Sequence, residues 1–145
     1  MLTDRFNQAL SYAEAAHRTQ QRKGSGIPYV AHLLAVCALV LEYGGDEDQA
    51  IAALLHDAVE DQGGAERLKD IRAKFGDQVA DIVAACSDAF TLPKPPWQER
   101  KQQYIDALSK HDPTSWLVSC ADKLHNASSI LRDYESLGDE LWSRF

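Results

Sequence analysis

A chain of 145 residues with 45% hydrophobic content is one domain with enough apolar side chain to bury a core, which excludes a disordered or fibrous protein. Its formal net charge of −7 argues against nucleic acid or an anionic membrane surface as a partner, although it leaves room for a phosphorylated small molecule held by a local cation. No apolar run reaches the length of a bilayer span, and Met1-Leu2-Thr3-Asp4-Arg5 does not lead into the apolar core of a signal peptide.

In chain order, residues 2–20 read as a helix with Phe6, Ala9, Leu10, Ala13, Ala16 and His17 on one stripe. Residues 21–28 form a loop punctuated by two glycines and a proline, with Arg22 and Lys23 as its positive tip. A second helix starts near Pro28-Tyr29 and stops at Gly44-Gly45. It is apolar nearly all round, which predicts a central position. Asp46 caps a third helix, which is expected to carry His56-Asp57-Ala58-Val59-Glu60-Asp61 at its C-terminal end before Gly63-Gly64. Residues 65–75 form an amphipathic helix, and Asp77 caps the next. Residues 89–96, with three prolines, form a rigid loop. A polar helix follows from Trp97 to about Lys110. Asp112-Pro113 opens a long helix running to about Tyr134, and Gly138 precedes a last short segment. No run reads as a strand, so the class is all-α. Cys37, Cys86 and Cys120 lack paired spacing and fit buried free thiols in a reducing cytoplasm.

The acidic hexapeptide needs a compensating charge if it is buried, and a divalent cation is the usual one. His56 and Asp57 point about 100° apart on a helix, yet both reach an ion lying over its end. A single helix cannot complete the coordination, so His32 on the apolar helix and Asp122 in Leu117-Val118-Ser119-Cys120-Ala121-Asp122-Lys123-Leu124 are the candidate partners. Two imidazoles and two carboxylates suit Mn²⁺, Fe²⁺, Zn²⁺ or Mg²⁺ with open positions for water and substrate. A lone histidine on an apolar helix is more often a hydrogen-bonded core residue than a ligand; the combination carries the reading. Asn126, one turn after Asp122, faces the same side. His125 reads as an orienting or packing residue. Arg100 and Lys101 read as a solvated helix face, Lys94 as a phosphate contact, His17 as structural and His111 as surface.

His32, His56-Asp57 and Asp122 in this order resemble the HD-domain metal-dependent phosphohydrolases. More closely, the chain resembles the hydrolase domain of the RelA/SpoT-type enzymes and the small stand-alone alarmone hydrolases. Matching stretches are Arg22-Lys23-Gly24-Ser25-Gly26-Ile27-Pro28-Tyr29-Val30-Ala31-His32, Ala53 to Asp61, Phe75 to Val79, Arg100 to Tyr104, and Ala121 to Asn126. The resemblance implies a single domain over residues 1–145, an HD-domain bundle of about seven or eight helices, holding one Mn²⁺. It assigns His32, His56, Asp57 and Asp122 as ligands and Glu60 and Asp61 as the catalytic pair. Arg22 and Lys23 would contact the purine, and Asn126 the ribose or phosphate. The activity implied is hydrolysis of the 3′-pyrophosphate of (p)ppGpp or (p)ppApp, with a purine nucleotide as partner and a homodimer compatible with it. Two departures stand out. Ser128 occupies a position where the long enzymes carry an arginine, and relatives usually continue past the last motif, which reads as a C-terminally truncated domain here. They keep open a different phosphohydrolase, acting on nucleoside monophosphates or NADPH, and a catalytically impaired binding module.

Overall fold

The computed structural model describes residues 1–91 and 95–144, without the side chain of residue 144. Eight α-helices lie among the described residues: α1 (Asp4–His17), α2 (Val30–Glu42), α3 (Glu47–Leu55), α4 (Ala58–Gln62), α5 (Gly64–Phe75), α6 (Asp77–Cys86), α7 (Trp97–Leu108) and α8 (Pro113–Leu137). A 3-10 turn over Gly138–Arg144 closes the chain. Among the described residues the only β-type pairing is an isolated bridge between Gln21 and Pro28, which ties off the loop between α1 and α2. No described helix is long and apolar enough to cross a membrane.

The centre is α3, not α2. Every residue from Ala50 to Leu55 is fully buried, and α1, α2, α6 and α8 pack around it. Ala50, Ala52 and Ala53 make α3 slim, so four neighbours can approach one short rod at close range. A capping box starts it: Asp46 accepts from the Gln49 amide at 2.8 Å, and the Gln49 side chain accepts from the Asp46 amide at 3.0 Å. The uniformly apolar α2 buries Leu33, Val36, Cys37 and Val40 but leaves Leu34 45% and Leu41 36% exposed. Cys120 is likewise exposed, whereas Cys37 is buried and the thiol of the half-buried Cys86 is shielded, so two of the three behave as the buried thiols expected.

A second departure decides the site. The helix expected to run through the hexapeptide ends at Leu55. His56 is its C-cap, and Asp57, at φ −93° and ψ −7°, is the N-cap of the short α4. The chain therefore bends between the two residues that carry the motif.

Gly64 explains how the next segment is brought in. It has φ +58°, and a Cβ there would lie 2.5 Å from the Phe90 carbonyl oxygen. Without a side chain, the start of α5 meets residues 87–91 directly, and the Ala65 amide donates to that carbonyl at 3.2 Å. This contact delivers Asp88 to the edge of the site. In α8, Asp112 caps the helix through the Thr114 amide at 2.9 Å with Pro113 following, as the sequence indicates.

Candidate active site

Two helices and one junction converge. His32 enters from the first turn of α2, His56 and Asp57 from the α3–α4 junction, and Asp122 from the middle of α8. The donor atoms of His32, His56 and Asp57 lie within 4.8 Å of one another. His32 Nε2 is 3.4 Å from Asp57 Oδ2 and 3.2 Å from Asp122 Oδ1. His56 Nε2 is 3.1 Å and 3.5 Å from the same two oxygens. The four atoms thus alternate nitrogen and oxygen around a common centre. Among the described residues neither Nε2 atom has a hydrogen-bond partner, although both are buried. Two imidazole lone pairs and two carboxylates facing one point fit a divalent cation.

The surroundings hold these groups in place. His56 Nδ1 donates to the Ala53 carbonyl at 2.7 Å. His32 Nδ1 lies 2.8 Å from His125 Nδ1. The Tyr29 hydroxyl donates to Asp57 Oδ2 at 2.6 Å, and His17 stacks on the Tyr29 ring. Asp122 receives the Asn126 amide on Oδ1 and the Lys123 ammonium on Oδ2, both at 2.6 Å. Burial works against charge on Asp57, but His56 and His32 outweigh it and hold the carboxyl well below the usual range. Asp122 is depressed for the same reason, again against its burial. Both acids are therefore ionised. Burial pushes His125 down to about 4, with further repulsion from His32 and Arg22, so this ring is neutral.

One cavity opens on this centre and a second adjoins it, with Tyr29 and Asn126 as shared walls. One, of about 360 Å³, is lined by Asp57, Glu60, Asp88, Lys101, Tyr104, Asp122 and Lys123. The other, of about 420 Å³, is lined by Arg22, Lys23, Ser25, Ile27, Ser129, Ile130, Arg132, Asp133 and Leu141. Arg22 Nη2 donates to Asn126 Oδ1 at 2.9 Å, which connects the loop tip to Asp122 through one amide.

The two acids of the hexapeptide part company. Glu60 lines the smaller cavity, with Arg100 Nη1 3.3 Å from its Oε1. Asp61 accepts from Gln20 Nε2 at 2.8 Å, on the side of the α1–α2 loop. Lys94 lies outside the described residues. Arg100 is not a solvated residue: it is 9% exposed, and its guanidinium bonds Asp88 and donates through Nε to the Pro95 carbonyl at 3.0 Å. Lys101 donates to the other Asp88 oxygen at 2.5 Å. His111 is half-buried beside Tyr104 rather than on the open surface.

Asp88, Tyr29 and Lys123 were missed as site residues by sequence reasoning. Asp88 stands alone after an apolar helix end, and only three-dimensional proximity gives it partners. Arg100 shares with Tyr104 and Ala107 the i, i+4, i+7 stripe that α7 turns inward.

The model of the HD domain family matches residues 9–144, and the chain belongs to that family. Among its relatives is the guanosine-3′,5′-bis(diphosphate) 3′-pyrophosphohydrolase MESH1 of Xenopus tropicalis, 37% identical over 94% of this chain and 73% of that protein. The GTP pyrophosphokinase of Streptomyces coelicolor is also 37% identical, over 86% of this chain but only 14% of its own length. The solved structure of a metazoan ortholog of SpoT that hydrolyzes ppGpp superposes with a TM-score of 0.81 at 33% identity, covering 90% of this chain and 72% of that one. The all-α HD-domain architecture expected from sequence is thus the observed one.

Proposed function

We propose that this chain, as a single hydrolase domain, is a metal-dependent phosphohydrolase that removes the 3′-pyrophosphate from guanosine 3′,5′-bis(diphosphate) or its adenosine counterpart. The observation that carries the reading is the junction of an alternating N/O donor ring with two adjoining cavities of unlike chemistry. His32, His56, Asp57 and Asp122 would hold the cation, and their mixed imidazole and carboxylate set suits Mn²⁺. Such an ion supplies Lewis acidity and a lowered pKa for a bound water.

The chain's own groups divide the remaining work. Lys101 and Lys123 line the smaller cavity and offset the charge of the pyrophosphate. Glu60 borders the same space and takes the proton of the attacking water. The water oxygen bonds to phosphorus, the bond from phosphorus to the ribose 3′-oxygen breaks, and the 3′-oxygen leaves with the proton that Glu60 took from the water. Asp61 holds the α1–α2 loop through Gln20 and so positions Arg22 and Lys23. Those two cations and Ile27 receive the purine, while Asn126 reaches the ribose from the shared wall. Lys94 joins the phosphate contacts in this reading. Ser128, where long enzymes carry arginine, donates back to the Leu124 carbonyl at 2.8 Å; the cation facing the purine cavity from α8 is Arg132.

Three free cysteines suit the reducing cytoplasm. The test is incubation of Mn²⁺-loaded protein with ppGpp and pppApp. Equimolar pyrophosphate and the 5′-phosphorylated nucleoside are expected. Absence of pyrophosphate from every 3′-pyrophosphorylated nucleotide, in protein shown to hold metal, would refute the proposal. Phosphate release from nucleoside monophosphates or NADPH instead would transfer the site to the rival substrate class.

A further inference from the structure

The His32 ring has two polar atoms, and they face opposite ways. Nε2 faces Asp57 and Asp122, while Nδ1 sits 2.8 Å from Nδ1 of His125, with the ring centroids 4.9 Å apart. At that separation the two Nδ1 atoms share a single proton, since two protonated or two bare nitrogens would repel. For His32 Nε2 to offer a lone pair to a cation, the ring proton must be on its own Nδ1. His125 must then accept at Nδ1 and carry its proton on Nε2. His56 solves the same problem with backbone, through the Ala53 carbonyl at 2.7 Å.

We propose that His125 is a positioning residue of the metal centre: it accepts the His32 Nδ1 proton and so holds His32 as the tautomer that presents Nε2 to a divalent cation. The inference rests on reading His32 as a ligand. Ligating histidines are commonly oriented by a carboxylate or a carbonyl. A neutral imidazole does this without adding a third negative charge beside Asp57 and Asp122. His125 follows Asp122 by less than one turn of α8, so one helix supplies a ligand and also orients a second ligand that α2 contributes.

Two substitutions separate orientation from packing. In H125N the side-chain Oδ1 stands as many bonds from the backbone as the histidine Nδ1 and can accept the same proton. H125L keeps bulk and has no acceptor. Titration calorimetry of the full chain with Mn²⁺ or Zn²⁺ should show affinity falling by about 10- to 100-fold in H125L and only a few-fold in H125N. The ring-¹⁵N spectrum of the Zn²⁺-loaded wild type should show a proton on Nδ1 of His32 and none on Nδ1 of His125. Wild-type affinity in H125L, equal losses in the two variants, or a proton on His125 Nδ1 overturns the proposal. If H125L does not fold, the wild-type spectrum decides alone. A wild type that binds no divalent metal, or an H32L variant that binds as tightly, would instead remove the ligand reading on which this one stands.

Discussion

Replacing Asp88 by asparagine tests whether Glu60 is tuned from behind. The Asp88 side chain is 2% exposed and faces Arg100 and Lys101, while Arg100 also stands 3.3 Å from Glu60. In D88N both cations lose their shared anion. A fully enclosed pair broken this way costs about 3–5 kcal/mol. Here Arg100 keeps Glu60 and the Pro95 carbonyl, and Lys101, 39% exposed, reaches water. The cost should therefore be about 2–3 kcal/mol, or roughly 8–12 °C in Tm at roughly 4 °C per kcal/mol for a domain of this size. Arg100, no longer neutralised, then acts on Glu60 alone and favours its carboxylate form, which weakens the base and reduces kcat by roughly three- to tenfold. The acid limb of the kcat–pH profile should move down with it.

The stability difference has its own pH signature. Burial resists ionisation of Asp88, but Lys101 and Arg100 outweigh it and leave the folded pKa depressed. A depressed carboxyl contributes stability that is complete above its unfolded pKa of about 3.9 and is lost as pH falls through the folded value. Thermal melts of wild type and D88N should accordingly differ most at neutral pH and converge below about pH 4. A Tm change within about 2 °C at pH 7, together with an unmoved acid limb, would refute the reasoning.

Three further outcomes follow. Chelation should lower Tm, and restoring Mn²⁺ to about 100-fold over Kd should return about 2.7 kcal/mol; D57A should fold with unchanged helicity by circular dichroism, gain nothing from the metal and lack turnover, so retained activity would contradict the ligand assignment. R22A removes the bond to Asn126 and one cation of the larger cavity. Steady-state kinetics should show KM raised by about 5- to 30-fold, as expected for about 1–2 kcal/mol of binding, with kcat changed far less; an effect confined to kcat would place Arg22 in the chemical step. Burial pushes the Cys86 thiol up to about 12 and Cys37 up to about 11, whereas Cys120 is exposed. Native alkylation read by mass spectrometry should therefore modify Cys120 and spare the other two until the chain is denatured, and early labelling of Cys37 would contradict the packing of α2.

The four candidate ligands stood out because their chemistry is conspicuous: ionisable side chains set in apolar runs require partners, and the structure brings His32, His56-Asp57 and Asp122 to one point. Helix existence was equally legible, since glycine, proline and capping residues punctuate the chain. Three features were not. The bend at His56-Asp57 has no breaker residue, and its effect is to set both side chains over one point. The exposure of Leu34 and Leu41 on α2 reflects how four helices are arranged around the slimmer α3, which hydropathy along a single helix cannot convey. Arg100 looked solvated because its anion, Asp88, arrives from another segment through the close approach at Gly64.

The helix end at His56 has a consequence for how the protein moves. The carbonyl end of a helix carries roughly half a negative charge, here on α3 and beside two ionised carboxylates. In the metal-free chain the His56 ring faces these charges, and a divalent cation would take over that role at the one place where the most buried helix stops. A cation held here would tie the α3–α4 junction to α2 and α8 across an otherwise apolar centre. Amide hydrogens of residues 57–62 should exchange quickly in the metal-free chain and slow by orders of magnitude on loading, while those of residues 51–55 change little. Metal occupancy would then be read out as local opening, with the core acting as a fixed frame around a latch.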